Sequence, residues 1–143
     1  MGVGTVLCVG CFDLLHPGHV LLLYSAAAYG DRLIVGLTVD EAVHKGSGHP
    51  LFNWDERRTM LRHLKWVEDV IPNHSAEQTI KEIQPEWYAK GIEYFGSLPE
   101  ERLVKRYGGR VVYIDTHYKF SSTDIMTGRL FAQRKRTVRP RVK

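Results

Sequence analysis

At 143 residues, 43% hydrophobic and 25% charged, the chain is long enough for one domain with a real core. No apolar run approaches the roughly 20 residues that a membrane-spanning helix needs, and the N-terminus lacks the pattern of a secretory signal, so a cytoplasmic protein without a membrane span is expected. The formal charge of +4 is misleading: Arg129, Arg134, Lys135, Arg136, Arg139, Arg141 and Lys143 lie in an acid-free end, and without those seven the body stands at −3. No nucleic-acid partner is expected for such a body. Residues 1–133 read as the domain and 134–143 as a basic tail; a solvated end is favoured over a contact with nucleic acid or membrane.

The first strand is predicted over residues 5–9 and the first helix over 19–29, stopped by Gly30-Asp31. A strand over 32–38 follows, then a loop over 42–52 containing Gly46, Gly48 and Pro50. Asn53 is a candidate N-cap for a helix over 54–64, and Ser75 for one over 76–83, with a strand over 67–72 between them. A strand over 87–90, a helix over 98–107 stopped by Gly108-Gly109, a strand over 110–115 and a helix over 122–132 complete the chain. This alternation predicts an α/β fold: a Rossmann-like, doubly wound, five-stranded parallel sheet in a single domain. Ligands bind such sheets beyond the carboxyl ends of the strands, at the switch point. His16 and His19 follow the first strand, Asp40 the second, Lys90-Gly91 the fourth, and Ser121, Ser122 and Thr123 the fifth. One site at that edge is therefore expected.

The segment Gly10-Cys11-Phe12-Asp13-Leu14-Leu15-His16-Pro17-Gly18-His19 carries the chemistry. It puts two imidazoles where a strand feeds a helix, and a helix N-terminus already attracts anions through unpaired N–H groups and the helix dipole. A polyphosphate is the ligand that such a site suits. His-x-Gly-His alone is a weak pattern among seven histidines; the longer string is far more specific. The chain has neither the Gly-x-Gly-x-x-Gly dinucleotide fingerprint nor a P-loop. Cys8 and Cys11 form Cys-x-x-Cys, but their odd spacing across a strand and the lack of a second pair favour two thiols over a disulfide or zinc site.

The opening segment resembles the G-[TC]-F-D-x-x-H-x-G-H signature of the cytidylyltransferases and related adenylyltransferases. Lys45-Gly46-Ser47-Gly48-His49-Pro50-Leu51 with Glu56-Arg57 resembles the K-G-x-x-R-P…E-x-R region of the heptose-1-phosphate adenylyltransferase domain. Ala89-Lys90-Gly91-Ile92-Glu93-Tyr94 resembles that group's V-K-G-x-[DE]-Y, and Phe120-Ser121-Ser122-Thr123-Asp124-Ile125 the family's [IC]-S-T-T-x-I. Glycerol-3-phosphate cytidylyltransferase is also similar, but it usually has Thr at Cys11 and G-D-[DW] where Gly91-Ile92-Glu93 stands.

The resemblance implies transfer of a nucleoside monophosphate from ATP or CTP to a phosphorylated small molecule, a sugar 1-phosphate first, with release of pyrophosphate. Local similarity leans to ATP. His16, His19 and Lys45 are the implied catalytic residues, His19 facing the α-phosphate. Gly10, Cys11, Phe12, Gly18, Arg57, Lys90, Gly91, Ser121, Ser122 and Thr123 are the implied nucleotide-binding set, with Asp40 toward the acceptor. The plain alternatives are a surface lysine at 45, a solvated helix face at Arg57, N-capping by the hydroxyls, and a strand-end cap at Asp40. Asp13 is expected to hold the motif loop by hydrogen bonds rather than bind metal. No protein metal site is implied; Mg²⁺ would arrive with the triphosphate. Thr116 stands where some cytidylyltransferases have an arginine, for which Lys119 is a candidate substitute. Trp54, Trp87, Tyr94 and Tyr118 are candidates for the acceptor pocket. A homodimer is implied as possible. The alternative readings are a cytidylyltransferase forming a CDP-alcohol and a non-catalytic nucleotide-binding module.

Overall fold

The computed structural model describes residues 4–44, 49–118, 121, 124 and 125. Lys45, Lys119, Ser122, Thr123, the expected last helix apart from Asp124 and Ile125, and the basic tail lie outside the described residues. Five strands, β1 (Thr5–Gly10), β2 (Arg32–Thr38), β3 (Asp69–Asn73), β4 (Trp87–Gly91) and β5 (Arg110–Ile114), pair in parallel in the order β3-β2-β1-β4-β5. The sheet is the five-stranded parallel one expected, and its order reverses between β1 and β4.

Side chains alternate across a strand, so each β-strand feeds two cores. Val6 and Cys8 of β1 join Leu33, Val35 and Leu37 of β2 on one face, under Leu23 and Ala26 of α1 (Pro17–Ala27) and Leu61 of α2 (Trp54–Arg62). Leu7, Val9, Ile34 and Tyr88 point to the other face, against Ile80 of α3 (Ala76–Ile83) and Val104 of α4 (Glu101–Arg106). Burial on both faces is why β1 and β2 read as continuous apolar runs rather than alternating ones.

Local chemistry sets most boundaries. Asn53 and Ser75 cap α2 and α3 by accepting the N–H groups of Glu56 and Gln78 (2.9 and 3.1 Å). Gly108, just past the Tyr107 cap of α4, stops the helix with a φ of +85° that suits glycine. The first helix begins two residues before its expected start, because Pro17 takes its first position and His16 its cap. β3 begins at Asp69 rather than 67, since the Val67 N–H still closes a turn onto Leu64.

Candidate active site

The carboxyl ends of β1, β4 and β5 and the N-terminus of α1 enclose an open cleft of about 550 Å³. Gly10, Cys11, Phe12, His16, Gly18, His19, Lys90, Gly91 and Ser121 of the expected set line it. The switch-point position predicted for the site is therefore where the structure brings them together.

The two histidines are the N-cap and third residue of α1. His16 Nδ1 accepts the Gly18 N–H (3.1 Å), and His19 Nδ1 accepts the His16 N–H (3.3 Å), forming a reciprocal capping box. An Nδ1 that accepts must be unprotonated, so the hydrogen-bond network assigns the ring proton of each histidine to Nε2. The motif thus does two things at once: it satisfies orphan helix N–H groups and turns two imidazoles into Nε2–H donors. The rings stack on one another with centroids 3.7 Å apart and planes 20° apart. Phe12, buried and at φ +47°, meets His19 edge-on at 5.1 Å.

Asp13, the fourth residue of the motif, is 1% exposed and faces away from any ligand role. Its Oδ1 accepts the N–H groups of Leu51 and Phe52 (2.6 and 3.2 Å), and its Oδ2 pairs with His49 Nδ1 (3.0 Å). It thus ties the first motif to the loop that enters α2, as a holding role predicts. His49 was not among the expected site residues; the signal available was its place at the arginine of the K-G-x-x-R-P pattern.

Arg57 requires a correction. It is fully buried, and its guanidinium is spent on the protein itself. Nε donates to the Phe52 carbonyl (2.9 Å), Nη1 to the carbonyls of Cys11 and Thr38 (2.8 Å each), and Nη2 to Asp40 Oδ1 (2.5 Å). Neither Arg57 nor Asp40 lines the cleft. The guanidinium faces inward because position 57 shares the core-facing stripe of α2 with Leu61, four residues on. Asp40 opens a short 3₁₀ turn, Asp40–Ala42, and serves there as the counter-charge of Arg57.

On the opposite wall, Lys90 Nζ lies 3.4 Å from the Val9 carbonyl and 4.3 Å from the Tyr94 ring centroid, a cation–π distance. Ile92, Glu93 and Tyr94 form a 3₁₀ turn after β4 and are exposed along the rim. Asp115, Thr116, Tyr118 and Asp124 add to the lining. Trp54 and Trp87 do not reach the cleft. Trp54 Nε1 donates to the Leu37 carbonyl (2.9 Å), and Trp87 starts β4 at the opposite sheet edge, packed on Tyr29. Cys8 and Cys11 are both thiols: burial pushes Cys8 up to about 11, with Lys90 partly opposing, while Cys11 is half-buried in the cleft. Among the described residues no helix is long and apolar enough to cross a membrane.

Residues 7–137 match the cytidylyltransferase-like family model. The D-beta-D-heptose 1-phosphate adenylyltransferase of Bordetella bronchiseptica is 38% identical over 123 residues, covering 82% of this chain and 76% of that protein. The bifunctional protein HldE of Gluconobacter oxydans is 36% identical over 132 residues, 89% of this chain; the chain spans 28% of that relative's length. A crystal structure of the lipopolysaccharide core biosynthesis protein from Thermoplasma volcanium superposes with a TM-score of 0.68 at 26% identity, over 84% of this chain and all of that one. With the motif, the parallel sheet and the switch-point cleft in agreement, the chain belongs to the cytidylyltransferase-like family.

Proposed function

We propose that the chain is a nucleotidyltransferase that moves a nucleoside monophosphate from a nucleoside triphosphate to the phosphate of a sugar 1-phosphate. The observation that carries this reading is the paired Nε2–H donors of His16 and His19 at the N-terminus of α1. A phosphate oxygen of the acceptor attacks the α-phosphorus, the bond to the bridging oxygen of the β-phosphate breaks, and pyrophosphate leaves. The nucleophile is already anionic, so the protein's task is positioning and charge stabilisation rather than proton removal. The histidines donate to oxygens on which charge grows, and Gly10, Cys11 and Phe12 line the same cleft.

Lys45, Ser122 and Thr123 enter by motif alone, as a mobile cation and as hydroxyls toward the β- and γ-phosphates. Lys90, Gly91 and Ser121 line the cleft and belong to the same nucleotide-binding reading. Mg²⁺ fits as a companion of the triphosphate: it needs few protein ligands when phosphates supply the rest, and Asp115 and Asp124 bring carboxylates to the cleft. It would neutralise phosphate charge. ATP is the favoured donor and a heptose-type sugar 1-phosphate the favoured acceptor, on the strength of the Bordetella relative's name and the Lys90-Gly91-Ile92-Glu93-Tyr94 stretch.

The test is pyrophosphate release with Mg²⁺, pairing ATP or CTP with sugar 1-phosphates and polyol phosphates. Release with ATP and a sugar 1-phosphate is expected. Release only with CTP and a polyol phosphate would replace this reading with the CDP-alcohol one. Tight nucleotide binding without release from any pair would make the chain a binding module.

A further inference from the structure

We propose that Tyr118 is a positioning residue that clamps His16, and through it the histidine pair, in the donor orientation before substrate arrives. The inference rests on the nucleotidyl-transfer reading for its kinetic consequence, but not for its structural one.

A cap hydrogen bond holds His16 at one edge, through Nδ1. That bond acts in the plane of the ring, whereas contacts on its flat faces restrain rotation out of that plane. One face lies on His19 at 3.7 Å. Tyr118 also stacks on His16, with centroids 5.2 Å apart and planes 27° apart. With Phe12 edge-on to His19, the four rings are linked in series, Tyr118 to His16, His16 to His19 and His19 to Phe12, with the two donors as the middle links.

The chain is shaped to deliver that ring. After β5, Asp115 Oδ1 accepts the His117 N–H (2.9 Å), and Thr116 Oγ1 accepts the Tyr118 N–H (3.3 Å). His117 takes φ +58°, a left-handed conformation uncommon for residues other than glycine. This tight turn brings Tyr118 across the N-terminus of α1. The seat below it is Gly18: a Cβ there would lie 2.7 Å from Tyr118 Cδ1 and 2.9 Å from His16 Cε1. The glycine of the His-x-Gly-His motif therefore makes room for the clamp, in addition to any close approach of phosphate. Tyr118 was a candidate for the acceptor pocket on sequence grounds. With its ring stacked on His16, the structure assigns it to the histidines instead. Fixing a donor before reaction is what makes electrostatic stabilisation effective, because no reorientation is then needed at the transition state.

The test uses the full chain with ¹⁵N-labelled histidine and no substrate, the His16 signals being identified by their loss in His16→Asn. Wild type is expected to give one His16 species with Nδ1 unprotonated and Nε2 protonated. Tyr118→Ala should give averaged tautomer shifts, and Tyr118→Phe should restore the wild-type pattern. In pyrophosphate release, Tyr118→Ala should lower kcat about tenfold, the scale of a lost orientation, with KM for the triphosphate within threefold. Tyr118→Phe should recover kcat to within twofold, as the ring face and not the hydroxyl does the clamping. Tyr118→Leu, which keeps bulk without a stacking face, should behave like Tyr118→Ala and replaces it if the alanine variant does not fold. Unaltered His16 shifts in both Tyr118→Ala and Tyr118→Leu would overturn the clamp, as would a pure KM effect or a phenylalanine variant as poor as alanine. If no pair of substrates yields pyrophosphate from wild type, the functional reading fails, and the tautomer measurement still decides the clamp.

Discussion

The wall of the cleft that follows β1 and the wall that follows β4 hold their residues by different means. On the β1 side, two buried charges do the holding. Asp13 gathers two main-chain N–H groups and His49, and Arg57 gathers three carbonyls and Asp40. A desolvated charge is tolerated only where its hydrogen-bonding capacity is nearly all used, and it then resists any shift of its partners. On the β4 side, Ile92, Glu93 and Tyr94 stand exposed on a short 3₁₀ turn with Phe95 exposed just after it, and Tyr94 is held at the cleft by Lys90. The difference teaches where precision is built in. The wall that carries the histidines has its backbone locked from behind, while the rim opposite can rearrange at small energetic cost.

That contrast breaks most readily at Arg57. Arg57→Ala strands three carbonyls and empties a buried site, and should cost on the order of 3–5 kcal/mol through lost hydrogen bonds and packing, the partly exposed Asp40 adding little. Urea denaturation measures it. Arg57→Lys should recover only a minority of the loss, because one ammonium cannot span four acceptors on two sides. Full stability in Arg57→Lys would show that charge alone, and not the fork of donors, holds this wall.

His16→Asn separates the two tasks of the motif. Asparagine is a strong N-cap, so stability should stay within about 1 kcal/mol of wild type. The Nε2–H donor is lost, so kcat should fall by roughly a hundredfold or more, the scale for removing a preorganised charge stabiliser. His19→Ala should lower kcat on the same scale. A folded His16→Asn protein with unimpaired turnover would leave His16 a cap and nothing else.

Tyr94→Ala probes the opposite wall. With the residue 42% exposed, stability should change by no more than about 0.5 kcal/mol. If the rim contacts nucleotide, KM for the triphosphate should rise by a few-fold while kcat holds, the pattern of binding lost equally in ground and transition states. A large loss of stability in this variant would mean that the two walls are equally rigid.

The smallest effect concerns alkaline stability. Burial raises the Cys8 thiol from 9.0 to about 11, so the folded state holds that proton more tightly than the unfolded chain does. The contribution is complete below pH 9 and is lost as pH rises toward 11. Cys8→Ala should remove that portion of the alkaline decline in urea midpoint, although the variant is less stable at neutral pH through its lost packing. An alkaline limb unchanged by the substitution would place the decline on Tyr88 and Tyr113, whose hydroxyls burial and glutamate partners also push up.

Much of this molecule is decided locally, and that portion is legible in its residues. Short apolar runs alternating with helix-length stretches dictate parallel strands. Asn53 and Ser75 stop the chain into helices through bonds spanning three residues. The order His16-Pro17-Gly18-His19 contains the capping-box spacing with proline at the first helical position, so the two capping bonds of the pair are written in four residues. Contacts across the sequence are another matter. Arg57 reads as a surface arginine near phosphate because residue type says nothing of burial. Its partners Cys11, Thr38 and Asp40 lie 46, 19 and 17 residues away, and only the packing of α2 against β2 and β3 brings them round one guanidinium. Trp87 reads as a pocket residue, yet strand direction puts it at the far edge of the sheet. Tyr118 lies about a hundred residues from the histidine it stacks on, and no periodicity links them. Short-range hydrogen bonds and apolar patterning belong to neighbours in the chain and survive in any fold. The direction in which a charged or aromatic side chain turns depends on which elements pack beside it, and that is settled when the sheet closes its two faces.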